Sequence, residues 1–158
     1  MRNKTILLLL ITFTLGLSPK LKGQTLNGYW SLICYSNILT GEQSCRSIKD
    51  ESQTVSLEFK DNGKTGKMSG HADANIVDGE YIIRENQRIK VKNFGGTKVG
   101  GPYWKYDFWL TIGQSSSFKF NKDTLVIFYD NDTKAMKFIQ LIKKKQSSSL
   151  MSRHLRKR

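Results

Sequence analysis

Histidine and cysteine are scarce in this sequence, with two residues of each among 158. The histidines, His71 and His154, lie far apart in the chain, so a histidine-based metal site or a catalytic triad lacks the residues it needs. The carboxylates of Asp73, Asp78 and Glu80 lie near His71, but their spacing is that of a polar turn between strands. The sequence therefore predicts a protein that is not an enzyme and has neither a metal nor a cofactor.

The sequence also lacks an apolar run long enough to cross a membrane as a helix. Residues 5–17 are apolar and follow a basic start, but a transmembrane helix needs about 20 such residues. This pattern predicts a signal peptide over residues 1–23, cleaved after Gly23. No cysteine stands at the cut, which excludes a lipid anchor. We therefore expect an exported protein in a periplasmic or extracellular location.

The formal net charge of +13 resides mainly in the two ends of the chain. Eleven of the 26 basic residues lie in residues 1–23 and 143–158, which leaves 15 basic against 13 acidic residues between them. The predicted domain, residues 24–142, is therefore nearly neutral. Residues 143–158 show no periodicity and are predicted to be a disordered tail with weak contact to polyanions or acidic lipids.

Short alternating runs predict antiparallel strands for most of the domain. In the clearest run, Val55, Leu57 and Phe59 point one way and the polar residues between them point the other. Asp61-Asn62-Gly63 then predicts a tight hairpin turn. About eight strands are expected, over residues 29–35, 54–60, 64–72, 80–84, 88–92, 117–120, 124–129 and 135–142.

One segment, residues 102–112, predicts a helix instead. Its apolar residues recur at helical spacing, and Gly113 is expected to end the helix in a left-handed conformation. The predicted fold is mostly β (α+β), a single curled antiparallel sheet or partly open β-barrel wrapped on this helix. Four helix side chains are expected to fill the interior against Trp30, Leu57, Phe59 and Tyr81; these are Trp104, Phe108, Trp109 and Ile112.

Cys34 and Cys45 are the only cysteines, and both follow the export signal. An oxidising compartment favours a disulfide between them. The alternative is a buried free thiol at Cys34, which shares a strand face with Trp30 and Leu32.

Two stretches of the domain resemble the META/HslJ-like family of small envelope proteins. In the first strand Trp30 is followed two residues later by a leucine, as is typical of that family. The family pattern G-x-x-G-C-N-x-Y-x-G-x-Y aligns with residues 70–81, where four positions match, and Thr97 matches a later segment. The four matching positions are Gly70, Asn75, Gly79 and Tyr81.

This resemblance implies a non-enzymatic envelope protein that acts in stress or toxic-compound tolerance by binding a protein or a small molecule. We expect the protein to be a monomer. The two cysteine positions of the family are Ala74 and Gly101 here, so a thiol function is not carried over. The glycines, Asn75, Trp30 and Tyr81 are interpreted as residues that hold the fold. Binding is expected around residues 70–81 and 95–101.

A second hypothesis is a lipocalin-like or avidin-like β-barrel carrier with a small apolar ligand inside. The early Gly28-x-Trp30 and the eight strands favour it. A helix between the fifth and sixth predicted strands is not expected in a simple up-and-down barrel, and that feature separates the two hypotheses.

Overall fold

The computed structural model describes residues 24–46, 54–99 and 103–141. The predicted signal peptide (1–23) and basic tail (143–158) lie outside the described residues, as do Gly101 and Pro102. The described part contains nine strands, one α-helix and a 3-10 turn. They are β1 (Gly28–Asn37), β2 (Gln43–Cys45), β3 (Val55–Asp61), β4 (Thr65–Ala72), β5 (Asn75–Arg84), β6 (Arg88–Gly96), α1 (Tyr103–Thr111), the 3-10 turn (Ile112–Gln114), β7 (Ser115–Asn121), β8 (Thr124–Tyr129) and β9 (Lys134–Gln140).

The strands form a closed antiparallel barrel. β1 pairs with β3 on one side and with β9 on the other, so β1 and β3 to β9 close a ring of eight. β2 pairs with the end of β1 and stands outside the ring. The prediction of a mostly β fold with about eight strands is confirmed. The β-barrel alternative is confirmed, whereas the single curled sheet is wrong, because the pairing of β1 with β9 closes the ring.

Alternation along the strands sorts side chains between the inside and the outside of the barrel. In β3 the alternate residues Val55, Leu57 and Phe59 are buried, as their period of two predicts. β8 repeats the pattern with Leu125 and Ile127. One hydrophobic core therefore runs through the barrel and includes residues from all eight strands of the ring.

The barrel has two ends, each covered by a different segment. At the strap end, residues 24–27, here called the strap, precede β1 and bury Leu26 completely. At the helix end, α1 and the 3-10 turn join β6 to β7 and bury Phe108 and Ile112 completely. Apolar side chains from outside the ring therefore lie over both mouths.

The junction between β6 and β7, here called the seam, is the least paired part of the ring. One register pair, Arg88 with Ser117, joins the two strands, and the Phe118 N–H donates to the Gln87 carbonyl at 2.9 Å. Further along β6 the neighbour is α1. The ring of Phe94 lies 5.7 Å from that of Phe108 and 5.2 Å from that of Trp109. The helix therefore completes the wall where strand pairing ends.

The helix lies where the sequence predicts it, but two details differ. Gly113 lies inside the 3-10 turn and is not a left-handed cap. The aromatic partner of Phe108 and Trp109 is Phe94, because α1 lies at the seam and the helix end; Trp30, near the strap end, packs against Phe120. The side chain of Trp104 lies outside the described residues. A helix and an up-and-down barrel therefore coexist, contrary to the expectation that one excludes the other.

Among the described residues, no helix is long and apolar enough to cross a membrane.

Candidate functional site

Trp30, the first of the family-motif positions, fixes the strap to the barrel. Its side chain is 3% exposed, and its indole Nε1–H donates to the Leu26 carbonyl at 2.9 Å. Its ring packs against Phe120 with the centroids 5.7 Å apart. Trp30 thus holds the fold, as its large apolar area predicts.

Asp61 is the centre of a polar cluster at the strap end, here called the Asp61 hub. Its Oδ2 accepts hydrogen bonds from the Leu26 N–H and the Tyr81 hydroxyl, each at 2.8 Å, and its Oδ1 accepts the Gly63 N–H at 2.8 Å. Backbone and amide bonds to Asn27 join the same two segments at 2.6 and 3.0 Å. One carboxylate therefore ties together the strap, the β3–β4 turn and the barrel interior.

Tyr81, another family-motif position, is the interior member of this hub. It is 1% exposed, and burial together with the bond to Asp61 raises the pKa of its hydroxyl. The hydroxyl is therefore a fixed neutral donor to the carboxylate, and its ring packs edge-on against Phe59. The sequence predicts Asp61 only as a turn residue, because its bonding partners are distant in the chain.

The two motif glycines shape the barrel wall. A Cβ on Gly70 would overlap the Ser56 carbonyl oxygen, so only glycine allows β4 to approach β3 this closely. Gly79 lies at the register shift between β5 and β6, where a Cβ would lie 3.2 Å from the Phe94 ring. Gly79 thus coincides with an irregular register, whereas Gly70 lies in a regular register, where glycine serves the close approach of the two strands.

Asn75 and Thr97 form hydrogen bonds that join the start of β5 to residues 97–99, which follow β6. The Asn75 side chain is buried; its amide donates to the Val99 carbonyl at 3.0 Å and its Oδ1 accepts the Val99 N–H. The Thr97 hydroxyl accepts the Ile76 N–H at 3.0 Å. These hydrogen bonds continue the pairing of β5 with the chain beyond the end of β6. The described part of the two expected binding segments, residues 70–81 and 95–99, is therefore adjacent, and the side chains of Asn75 and Thr97 are engaged in internal hydrogen bonds.

Cys34 and Cys45 are joined by a disulfide between directly paired residues of β1 and β2. Arg46 follows, and its guanidinium donates to the Leu32 carbonyl and to the Ser31 hydroxyl, each at 2.8 Å. The disulfide therefore attaches an exposed three-residue strand to the outside of the barrel.

Reduction of this disulfide should release β2 and leave the barrel folded, because β2 lies outside the ring. We expect a loss of at most about 3 kcal/mol in the free energy of unfolding, the entropy of a short closed loop. Urea unfolding with and without reductant gives the loss, and amide exchange shows where protection falls. A Cys34→Ser/Cys45→Ser variant is the control. Global unfolding on reduction would contradict the peripheral position of β2.

His71 does not form one site with Asp73, Asp78 and Glu80, the acidic residues near it in the sequence. His71 is exposed on the outer face of β4, opposite Ile76 on β5. Within the part of the chain that the structure describes, no three His, Cys, Asp or Glu side chains come close enough to hold a metal ion.

Asp132 closes the seam from the β8–β9 turn. Its Oδ1 accepts the Ser116 and Ser117 hydroxyls, and its Oδ2 pairs with Arg88 at 2.8 Å. The bond from Ser116 is the main cause of the lowered pKa of this carboxyl, with Ser117 and Arg88 adding to it. Asp132 thus joins β6, β7 and the turn where backbone pairing is sparse.

Asp132→Asn should lower the free energy of unfolding by about 1 kcal/mol at neutral pH, because the side chain is part-exposed and its charged bonds become neutral ones. The lowered pKa means that the contribution is present above about pH 4 and is lost as the pH falls through the folded-state pKa. Urea midpoints of both proteins should therefore converge in acid. A difference that stays constant from pH 7 to pH 2 would contradict the role of the ionised carboxylate.

Two tyrosines lie buried under the helix end. Burial raises the pKa of Tyr35, and the nearby Asp107 carboxylate and Tyr129 raise it further. Burial likewise raises the pKa of Tyr129. Thr111 of α1 lies 3.4 Å from the Met136 sulfur. Neutral hydroxyls and apolar groups therefore line the contact between α1 and the ring.

The outer surface of β4 to β6 carries an accumulation of basic side chains, here called the basic face. It comprises Lys67 on β4, Arg84 on β5, and Arg88, Lys90 and Lys92 on β6, all exposed. Lys67 and Lys92 both lie opposite Glu80, and Arg84 lies opposite Arg88. The sequence shows these residues as scattered charges, because only the strand register brings them together.

The fold and the packed interior define a class of protein, a closed eight-stranded antiparallel barrel of up-and-down order. No family model matches the chain, and no curated protein matches it. Solved structures with a similar fold include the following two. A DUF4847 family protein from Bacteroides vulgatus ATCC 8482 has a TM-score of 0.52 at 10% identity, covering 72% of this chain and 92% of its own. A protein from Burkholderia xenovorans, solved by NMR, has a TM-score of 0.55 at 14% identity, covering 74% and 83%. At such identities the likeness concerns the fold alone.

Proposed function

We propose that the protein is an exported, non-catalytic binding barrel that receives its ligand on the outer surface. The observation that carries this proposal is the packed interior. Twelve large side chains are less than 2% exposed, and a ligand chamber would leave its lining accessible to a water-sized sphere. They are Tyr81, Phe59, Phe108, Phe118, Phe138, Leu26, Leu32, Leu57, Met68, Ile112, Leu125 and Ile127.

The covered ends support the same proposal. Leu26 lies over one mouth and is held there by the Asp61 carboxylate and the Trp30 indole. Phe108 and Ile112 lie over the other mouth. A ligand that entered the barrel would have to displace one of these plugs as well as core side chains.

Export rests on the signal-peptide pattern and on the disulfide, which is typical of oxidising compartments. The resemblance to META/HslJ domains supplies the wider role, an envelope protein in stress or toxic-compound tolerance that binds a protein or a small molecule. The motif positions contribute to this role by holding the barrel, since their side chains are engaged in internal packing and hydrogen bonds.

The experiment is a titration with the fluorescent apolar probe N-phenyl-1-naphthylamine. Wild-type protein should show no stoichiometric uptake. Phe138→Ala, which removes a fully buried ring, should also show no uptake, because the space of one lost ring is too small for a probe of three aromatic rings, and Ile139→Ala, on the outer side of the same strand, is its match. Stoichiometric uptake by the wild type, competed by fatty acids, would overturn the proposal in favour of the lipocalin-like or avidin-like carrier.

A further inference from the structure

The charges of residues 24–142 nearly cancel in total, but the strand register distributes them unevenly over the barrel surface. The basic face occupies neighbouring positions on three adjacent strands. Four acidic residues lie in turns and on α1, namely Asp73, Asp107, Asp130 and Asp132, whereas Asp78 and Glu80 lie on the outer positions of β5. The outer positions of β4 to β6 therefore carry five basic residues against two acidic ones, an excess of positive charge that is independent of the basic tail.

Like charges lie directly opposite each other on this side of the barrel. Arg84 faces Arg88 across β5 and β6, and Lys60 faces Lys67 across β3 and β4. Directly opposed like charges destabilise an antiparallel pair. An anion bound between the paired cations would relieve this repulsion.

Most of these cations are uncompensated within the described part of the chain. Lys60 pairs with Glu58 and Arg88 with Asp132, whereas Lys67, Arg84, Lys90 and Lys92 form no ion pair there. The carboxylate of Glu80, the nearest acid, accepts a hydrogen bond from the Asn93 amide at 3.0 Å. The free lysines are therefore available to an external anion.

An open groove of ≈ 610 Å³ runs beside the basic face at the strap end. The groove is lined by Lys60, Lys67 and Lys92, by the polar side chains of Asn62 and Thr65, and by the carboxylates of Asp61 and Glu80. Both carboxylates already accept internal hydrogen bonds, Asp61 from Leu26 and Tyr81 and Glu80 from Asn93. Neighbouring strands lie about 4.8 Å apart, so charges on β3 to β6 extend over roughly 15 Å. This is the length of a few sugar units in an extended chain.

We propose that the basic face and this groove bind an extended acidic polysaccharide. The proposal rests on the outer-surface binding proposed above and names the ligand class. A recessed groove admits a chain better than the plane of a lipid bilayer. The outward positions of β4 to β6 hold no Phe, Tyr or Trp on which nucleic-acid bases would stack. Cations with hydroxyl and amide groups match sulfate and carboxylate groups on sugars.

The experiment measures binding of a size-fractionated heparin oligosaccharide to residues 24–158 at several salt concentrations. The test variant is K67Q/K90Q/K92Q. The matched control, K119Q/K122Q/K137Q, removes the same charge from the β7–β9 side of the barrel. We expect the test variant to lose about 10-fold or more in affinity at low salt and the salt dependence to become shallower by about 2 to 3 in log–log slope, with the control near wild type.

Three results would overturn the proposal. The first is equal loss in both triple variants, which means diffuse attraction. The second is wild-type affinity in K67Q/K90Q/K92Q with loss on truncation after Ile142, which assigns binding to the tail. The third is tighter binding of a single-stranded oligonucleotide of equal charge or of phosphatidylglycerol vesicles. Uptake of the apolar probe tests only whether the barrel interior is open. Failure of the outer-surface proposal is therefore distinguished from failure of the polysaccharide proposal.

Discussion

Asp61→Ala should lower the free energy of unfolding by about 2 to 4 kcal/mol. The substitution leaves the Leu26 N–H, the Gly63 N–H and the Tyr81 hydroxyl without their common acceptor. Hydrogen bonds to a charged group contribute about 1.5 to 3 kcal/mol each, and water replaces part of this at the half-buried site. The strap should also loosen at Leu26, whose N–H loses its acceptor, whereas the two Asn27 bonds end on the Asp61 backbone and remain.

Urea unfolding measures this loss, and limited proteolysis at residues 24–27 measures the loosening of the strap. Asp123→Ala is the matched control, an exposed acidic turn residue between β7 and β8. Tyr81→Phe should give a smaller loss of about 1 to 2 kcal/mol, because the other two donors keep their acceptor. A change below about 0.5 kcal/mol for Asp61→Ala would contradict the hub.

Phe138→Ala should lower the free energy of unfolding by about 3 to 5 kcal/mol. Phe138 is fully buried on β9 and lies between Leu32 of β1 and Leu125 of β8 in the register. Truncation removes the apolar area of the ring and leaves a cavity that a closed ring of strands cannot collapse. Ile139→Ala should cost about 1 kcal/mol or less, since its side chain is only half-buried. Urea midpoints give both values, and equal losses would contradict the inside–outside assignment.

The local structure of this chain is readable from its sequence, and the closure of its sheet is not. Alternation places β3 and β8 almost to the residue. β2 has no such signal, because its three residues are all exposed and the disulfide fixes it. Whether β1 meets β9 depends on twist and stagger summed over eight strands, and no single segment carries that information.

The same distinction applies to the candidate site. Trp30 and Tyr81 are recognisable as fold-holding residues from their size and their motif. The partners of Asp61 and Asp132 cannot be recognised from the sequence. The bonds from Leu26 and Tyr81 to Asp61 span 35 and 20 residues, and the bonds of Asp132 depend on how the strands meet at the seam. The basic face cannot be recognised from the sequence for the same reason, because the net charge of residues 24–142 does not say where each charge lies on the barrel.

The central claim is that the barrel is packed and that ligands bind outside it. The most direct measurement is xenon binding to crystals of the wild-type protein under pressure, because xenon enters apolar cavities that water leaves empty. We predict no xenon atom among Phe59, Met68, Tyr81, Leu125 and Phe138. A well-occupied xenon site bounded by these side chains would reveal an interior chamber and contradict the account.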